Sequence, residues 1–300
     1  MTADTLLTQA FNGLSLFTVL ALMAIGLAIV FGLMGVINMA HGELMALGAY
    51  MTYLTSVVFS RYLPQLIGAY FLVGIVAAFV VTAAVGFVLE RVMIRHLYKR
   101  PLDTMLATWG LSLVLQQVYR QVFGPIDVSV PTVSWLQGAW NPTPGIAIPL
   151  SRIFIVGLTL AVALAVYLFL FRSRWGLRIR SVMQNRAMAG AAGINTERVD
   201  AVTFAVGCGL AGIAGSALTM LASTGPVTGQ QYIVDTFVVV VFGGIESLVG
   251  TFLSAFTIGQ MQSMLELVLS GSMAKAAILL LVITALYFRP NGLFALKLRR

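Results

Sequence analysis

Polar positions along this chain are sparse and clustered, and the apolar stretches between them are long. Residues 5–42, 62–89, 153–171 and 201–234 contain no Asp, Glu, Lys or Arg. A helix crosses about 30 Å of hydrocarbon with roughly 20 residues, and a soluble core helix would add a polar face at the 3.6-residue period. Most of these runs show no such face. The pattern predicts an all-α, polytopic membrane protein, with 1–300 forming one transmembrane domain. Eight to ten spans fit, nine most simply: near 13–36, 40–59, 66–89, 104–123, 152–171, 200–222, 232–249, 251–270 and 275–289. Two are short, and Gly243, Gly244 and Gly250 interrupt one of them. Short, glycine-broken segments mark discontinuous helices that line a cavity. In "GCGLAGIAGSAL" (207–218) small residues recur at four-residue spacing, which predicts close helix packing.

Charge orients this array. Apolar residues make up 59% of the chain and charged ones 9%, with a formal net charge of +8. Of the 18 Lys and Arg, 14 lie in segments 90–100, 172–198 and 289–300, each flanking apolar runs. Basic loops stay on the cytoplasmic side, so the positive balance reports orientation and not a nucleic-acid surface. The N-terminus is then expected outside, the C-terminus in the cytoplasm, and the proline-rich segment 124–149 outside. The opening residues lack a basic n-region, so the first run reads as a retained helix. The lone Cys208 excludes an internal disulfide and a cysteine metal site, and no metal is expected.

Within the apolar frame, "GVINMAHGEL" (35–44) stands out. One reading is a tight turn, with Gly35 and Gly42 supplying backbone freedom and Asn38 capping the next helix. The other is a pathway or gate. A carboxylate at membrane depth costs about 2.5 kcal/mol or more on insertion scales, so Glu43 should face protein or water, and His41 could meet it across a broken helix. Farther on, "TWGLSLVLQQVYRQ" (108–121) places Trp109, Ser112 or Leu113, Gln116 and Arg120 along one stripe. Asn38, His41, Glu43, Thr108, Gln116 and Gln117 are therefore the candidate pathway residues. Arg120 and Lys275 are expected to snorkel outward.

The segment 172–200 is too long for a simple turn. Residues 176–190 can form an amphipathic helix with Leu177, Val182 and Met188 as its apolar positions. Such a helix either lies among anionic lipid headgroups or docks into a cytoplasmic partner. No GxxxxGK[ST] loop occurs, so the chain cannot hydrolyse ATP itself and no cofactor is expected in it.

Five stretches together resemble the permeases of ATP-binding-cassette importers for branched-chain amino acids, amides and urea, most closely those for urea. They are "GLMGVINMAHGELMALGAY" (32–50), "LATWGLSLVLQQ" (106–117), "FRSRWGLRIRSVMQNRAMAGAAGI" (171–194), "TGPVTGQQYIVDTFVVVVFGG" (224–244) and "RPNGLFALK" (289–297). The resemblance implies a transport subunit of a bacterial inner-membrane importer and not an enzyme. Its partners would be a second permease subunit, two cytoplasmic ATP-binding subunits and a periplasmic solute-binding protein. Residues 172–199 would be the coupling loop, with Arg178, Arg180, Gln184, Asn185, Arg186, Gly190 and Gly193 seated against an ATPase. Two departures stand: Glu246 replaces a common glycine, and the loop lacks the glutamate of the EAA pattern. Urea is the first expected solute: the resemblance to the urea permeases leans on "TGPVTGQQYIVD" (224–235) and "RWGLRIRSVMQNR" (174–186), and Asn38, Thr108, Gln116 and Gln117 offer donors and acceptors without fixed charge. Branched-chain amino acids or short-chain amides are the alternative, and a stand-alone channel is the third reading.

Overall fold

The computed structural model describes residues 3–98, 100–143, 146–290 and 292–293. Among them nine helices of 16 to 25 residues overlap the nine expected spans, with α1 beginning ten residues before the expected 13 and α9 ending six before the expected 249. They are α1 (Ala3–Leu27), α2 (His41–Tyr62), α3 (Tyr70–Val92), α4 (Pro101–Phe123), α5 (Leu150–Arg172), α8 (Thr196–Leu218), α9 (Thr228–Gly243), α10 (Leu248–Leu265) and α11 (Gly271–Phe288). Two short helices, α6 (Arg174–Gln184) and α7 (Arg186–Ala191), fill the basic segment. The only sheet among the described residues is an antiparallel hairpin, β1 (Ala139–Thr143) with β2 (Ile146–Pro149).

Helix α8 forms the centre. Its small residues let α1, α2 and α3 approach its backbone, so nearly the whole helix is buried. Five segments are long and apolar enough to cross a membrane: Thr5–Leu33, Pro64–His96, Leu150–Arg172, Thr196–Leu218 and Gly271–Phe288. The helices α2, α4, α9 and α10 fall short of that measure. Three of these four carry the polar cluster described below, and α9 is also short, with 16 residues.

Two ends of the bundle are distinct. At one, Thr224 and Val128 exchange backbone hydrogen bonds of 2.9 Å each, the Tyr70 hydroxyl donates to the Pro131 carbonyl, and Trp135 Nε1 donates to Gly68 O at 2.6 Å. At the other, the basic segment packs under α8 through the ion pair Arg186–Asp200 (2.5 Å), and the turn after α3 joins α8 through Arg95–Glu197 (2.7 Å). Most of the C-terminal stretch "RPNGLFALK", and the basic residues after Arg289, lie outside the described residues.

Candidate functional site: a polar cluster between α2, α4 and α9

The stretch around Asn38 is a break inside the bundle and not a solvated turn. Helix α1 ends in a π-helical turn at Ala28–Leu33, and residues 35–38 are non-helical. Gly35 takes a φ of 68°, open to glycine and costly for other residues. Asn38 is 2% exposed, and its Oδ1 accepts the Ala40 N–H at 3.0 Å. That bond forms a local Asx-type turn; the expected cap on α2 is absent, since Ala40 holds the N-cap position without a side-chain bond.

Helix α4 faces this break with one stripe. Thr104, Thr108, Ser112 and Gln116 are buried at four-residue spacing, and Tyr119 continues the row. Thr108 Oγ1 accepts the Met39 N–H at 3.1 Å and donates to Thr104 O at 2.8 Å. Midway along α4, Ser112 Oγ (3.2 Å) and Gln116 Nε2 (2.9 Å) both donate to Glu43 Oε1. The Tyr119 hydroxyl donates to the Glu43 carbonyl at 2.8 Å. Gln116 also reaches Gln230 Oε1 on α9 at 3.3 Å. Glu43 is 1% exposed, yet its Oε2 has no hydrogen-bond partner among the described residues.

Two glycines bring α9 to this place. A Cβ on Gly42 would lie 2.2 Å from the Gly229 carbonyl oxygen, and one on Gly229 would lie 2.5 Å from that of Gly42. The first turns of α2 and α9 therefore cross in backbone contact, which no larger residue permits. Toward the C-terminal end of α4, Tyr50 stacks on Phe123 with centroids 4.1 Å apart and lies 5.1 Å from Tyr119. This aromatic layer closes the cluster on that side.

Several expectations are corrected here. Gln117 is exposed and takes no part in the cluster; at 100° per residue it points off the stripe that Gln116 shares with Ser112. Trp109 (53% exposed), Leu113 and Arg120 likewise face outward, so Ser112 and not Leu113 belongs to the polar row. His41 and Glu43 do not meet. His41 Nε2 lies 3.3 Å from the Met23 carbonyl of α1, while Glu43 turns to α4. Sequence reasoning missed Tyr119 and Gln230; the four-residue recurrence of Thr104, Thr108, Ser112 and Gln116 was the signal for the correct face.

The basic segment divides differently from the single helix expected over 176–190. Ser173, Asn185 and Asn195 each accept a backbone N–H at 3.0 Å and open α6, α7 and α8 in turn. Asn185 is thus a helix cap as well as an exposed candidate. Ile179, Val182 and Ala189 face the bundle, whereas Leu177 (60% exposed) and Met188 (67% exposed) face away from it. Arg178, Gln184, Gly190 and Gly193 are exposed, and Gly193 turns the chain with a φ of 82°. The guanidinium of Arg180 lies 5.4 Å from the Phe171 ring. Arg186 is committed within the chain, bonded to Asp200 at 2.5 Å and lying over Tyr98.

Residues 9–286 match the family model described as "Branched-chain amino acid transport system / permease component". The chain belongs to that permease family. The permease is 31% identical over 295 residues to the high-affinity branched-chain amino acid transport system permease protein LivH of Escherichia coli K12, covering 96% of this chain and 94% of the relative. It is 29% identical to the corresponding protein BraD of Pseudomonas aeruginosa (96% and 95% covered). A more distant relative, the ribose import permease protein RbsC of Escherichia coli K12, is 27% identical with 92% and 85% covered. No solved structure matches. The permease is therefore a multi-pass membrane transport subunit and not an enzyme. Two of these relatives are named for branched-chain amino acids, the more distant one for ribose and none for urea, which reverses the order in which the sequence stretches ranked branched-chain amino acids and urea.

Proposed function

We propose that this permease is the membrane-spanning subunit of an ATP-driven, binding-protein-dependent importer for branched-chain amino acids. The observation that carries the reading is likeness along nearly the whole chain to permeases named for that solute class. The buried cluster of Glu43, Ser112, Gln116 and Gln230 supplies its route: donors and acceptors converge where two helices begin inside the bundle. Thr108, Asn38 and His41 border the route, and the Tyr50–Phe123 stack covers one end. A second permease subunit would complete the pore, and a periplasmic solute-binding protein would deliver solute at the end where the N-terminus lies. Two cytoplasmic ATP-binding subunits would dock on the 172–199 segment, through Arg178, Gln184, Gly190 and Gly193, with Leu177 and Met188 as exposed apolar contacts. Arg186 would tie that segment to α8 and pass its movement on. A bilayer inner membrane with N-terminus outside and C-terminus inside fits this arrangement.

A second reading, urea or a short amide, is favoured by one feature: no Lys or Arg belongs to the Glu43 cluster, so a neutral solute finds amide and hydroxyl partners without a cationic trap. Uptake by a strain lacking the transporter and complemented with the full importer separates the two. Labelled leucine should accumulate, with isoleucine and valine competing and urea in excess having no effect. Urea accumulation without leucine uptake would overturn the first reading and establish the second.

A further inference from the structure

Lys275 is exposed, as expected, and its Nζ lies 2.6 Å from Asp235 Oδ2, joining α11 to α9. Nζ also lies 5.8 Å from the Tyr232 ring centroid. Charges on membrane helices are expensive, so this partly exposed pair, open to a ligand from one side, is a functional candidate. These two charges line a cavity of about 270 Å³ between α9, α10 and α11. Gln231 and Gln262 add amide groups to its wall; Val234, Val238, Ile258 and Leu279 form an apolar side. Gln262 is itself held by the Glu266 carboxylate at 3.0 Å. Sites for drug-sized ligands span about 300–1,000 Å³, so this space suits a metabolite of amino-acid size.

We propose that this cavity binds the free amino-acid zwitterion, with Asp235 taking its ammonium group, Lys275 its carboxylate, and the Val234–Val238–Ile258–Leu279 wall its branched side chain. The ligand's two charges, one carbon apart, mirror the resident pair. On binding, one ion pair is exchanged for two, and no charge is left without a partner. Urea, having no net charge on either end, would have to leave the resident pair closed and gains little there. Asp235 lies little more than one helical turn beyond Gln230, which bonds to Gln116, so α9 carries both this cavity and the Glu43 cluster. The inference rests on the reading of the permease as an amino-acid transporter and adds where the solute's charges are recognised.

The test uses purified full-length permease in lipid nanodiscs, with leucine binding followed by saturation-transfer NMR on its methyl groups. The wild type should bind leucine. Binding should weaken at least tenfold in the double variant Asp235→Asn/Lys275→Gln, while Lys275→Arg keeps it and reports that the fold survives. 4-Methylpentanoate, lacking the ammonium group, should compete poorly with leucine on the wild type and far better on Asp235→Asn, where its carboxylate no longer meets an unpaired acid. Unchanged leucine affinity in the double variant, or unchanged selectivity in Asp235→Asn, overturns this site while cellular leucine uptake by the wild type leaves the transport reading standing. Absence of leucine uptake by wild-type cells overturns the transport reading and this site with it.

Discussion

Glu43→Gln should cut solute uptake at least tenfold while the permease remains in the membrane at wild-type amount. The reason lies in how the two carboxylate oxygens are used. Oε1 is held by Ser112 and Gln116, and an amide oxygen can accept the same two bonds. Oε2 has no partner among the described residues and is the acceptor available to a passing N–H group. Glutamine puts an amide nitrogen in place of that oxygen. A buried polar group left without its partner costs about 1–3 kcal/mol, and 1.4 kcal/mol is a factor of ten. Initial uptake rates, normalised to permease in the membrane, provide the check. Gln117→Ala, one residue off the stripe and exposed, should transport normally. Wild-type rates for Glu43→Gln would return Glu43 to a purely structural role.

The largest expected loss of stability is at Gly215→Val. A Cβ at that position would lie 1.8 Å from the Met45 carbonyl oxygen and 2.8 Å from the Ala49 backbone nitrogen. Overpacking a core costs about 1–3 kcal/mol when side chains can shift. Here the obstacle is the backbone of α2, which cannot move without opening its seam with α8 and carrying Glu43 away from α4. Detergent extraction followed by size-exclusion chromatography should show little folded permease. Gly110→Ala on α4 is the control: beyond its own turn of helix backbone no atom lies within 4 Å of the added methyl, and removing a helical glycine stabilises by about 0.5–1 kcal/mol. A monodisperse, wild-type profile for Gly215→Val would contradict the packing described for α8.

The number of spans could not be read from the chain, since four of the nine long helices fall short of the length and apolarity of a membrane span. The helical, membrane-type array and the basic segment could, because long charge-free runs and clustered arginines follow from transfer energies, which are local to the sequence. The small-residue row of α8 was legible for the same reason: only helix contact explains glycines repeated at four-residue spacing. The face of α4 was harder. In a soluble helix the apolar face is the buried one, but here Leu113 and Trp109 face outward and Thr108, Ser112 and Gln116 face inward, so hydrophobicity points the wrong way. Helix α9 starts at Thr228, four residues before the expected 232, because "TGQQ" looks like loop until Gly229 meets Gly42. The ion pair of Asp235 with Lys275 joins residues 40 apart, a pairing that only the packed helices reveal. Solute identity was the least legible, since the stretches that mark the permease family serve more than one solute.

The account depends on α4 turning its hydroxyl-and-amide stripe, and not its leucine face, toward the solute route. Cysteine labelling measures this directly. In a Cys208→Ala background, which removes the native thiol, Ser112→Cys and Leu113→Cys are compared for reaction with a small, charged thiol reagent during ATP-driven uptake by the assembled importer. Thiol reactivity needs water and a thiolate. Ser112→Cys should be modified during turnover and protected by excess solute, while Leu113→Cys stays inert. Modification of Leu113→Cys with Ser112→Cys unreactive would place the route on the other side of α4 and contradict the account.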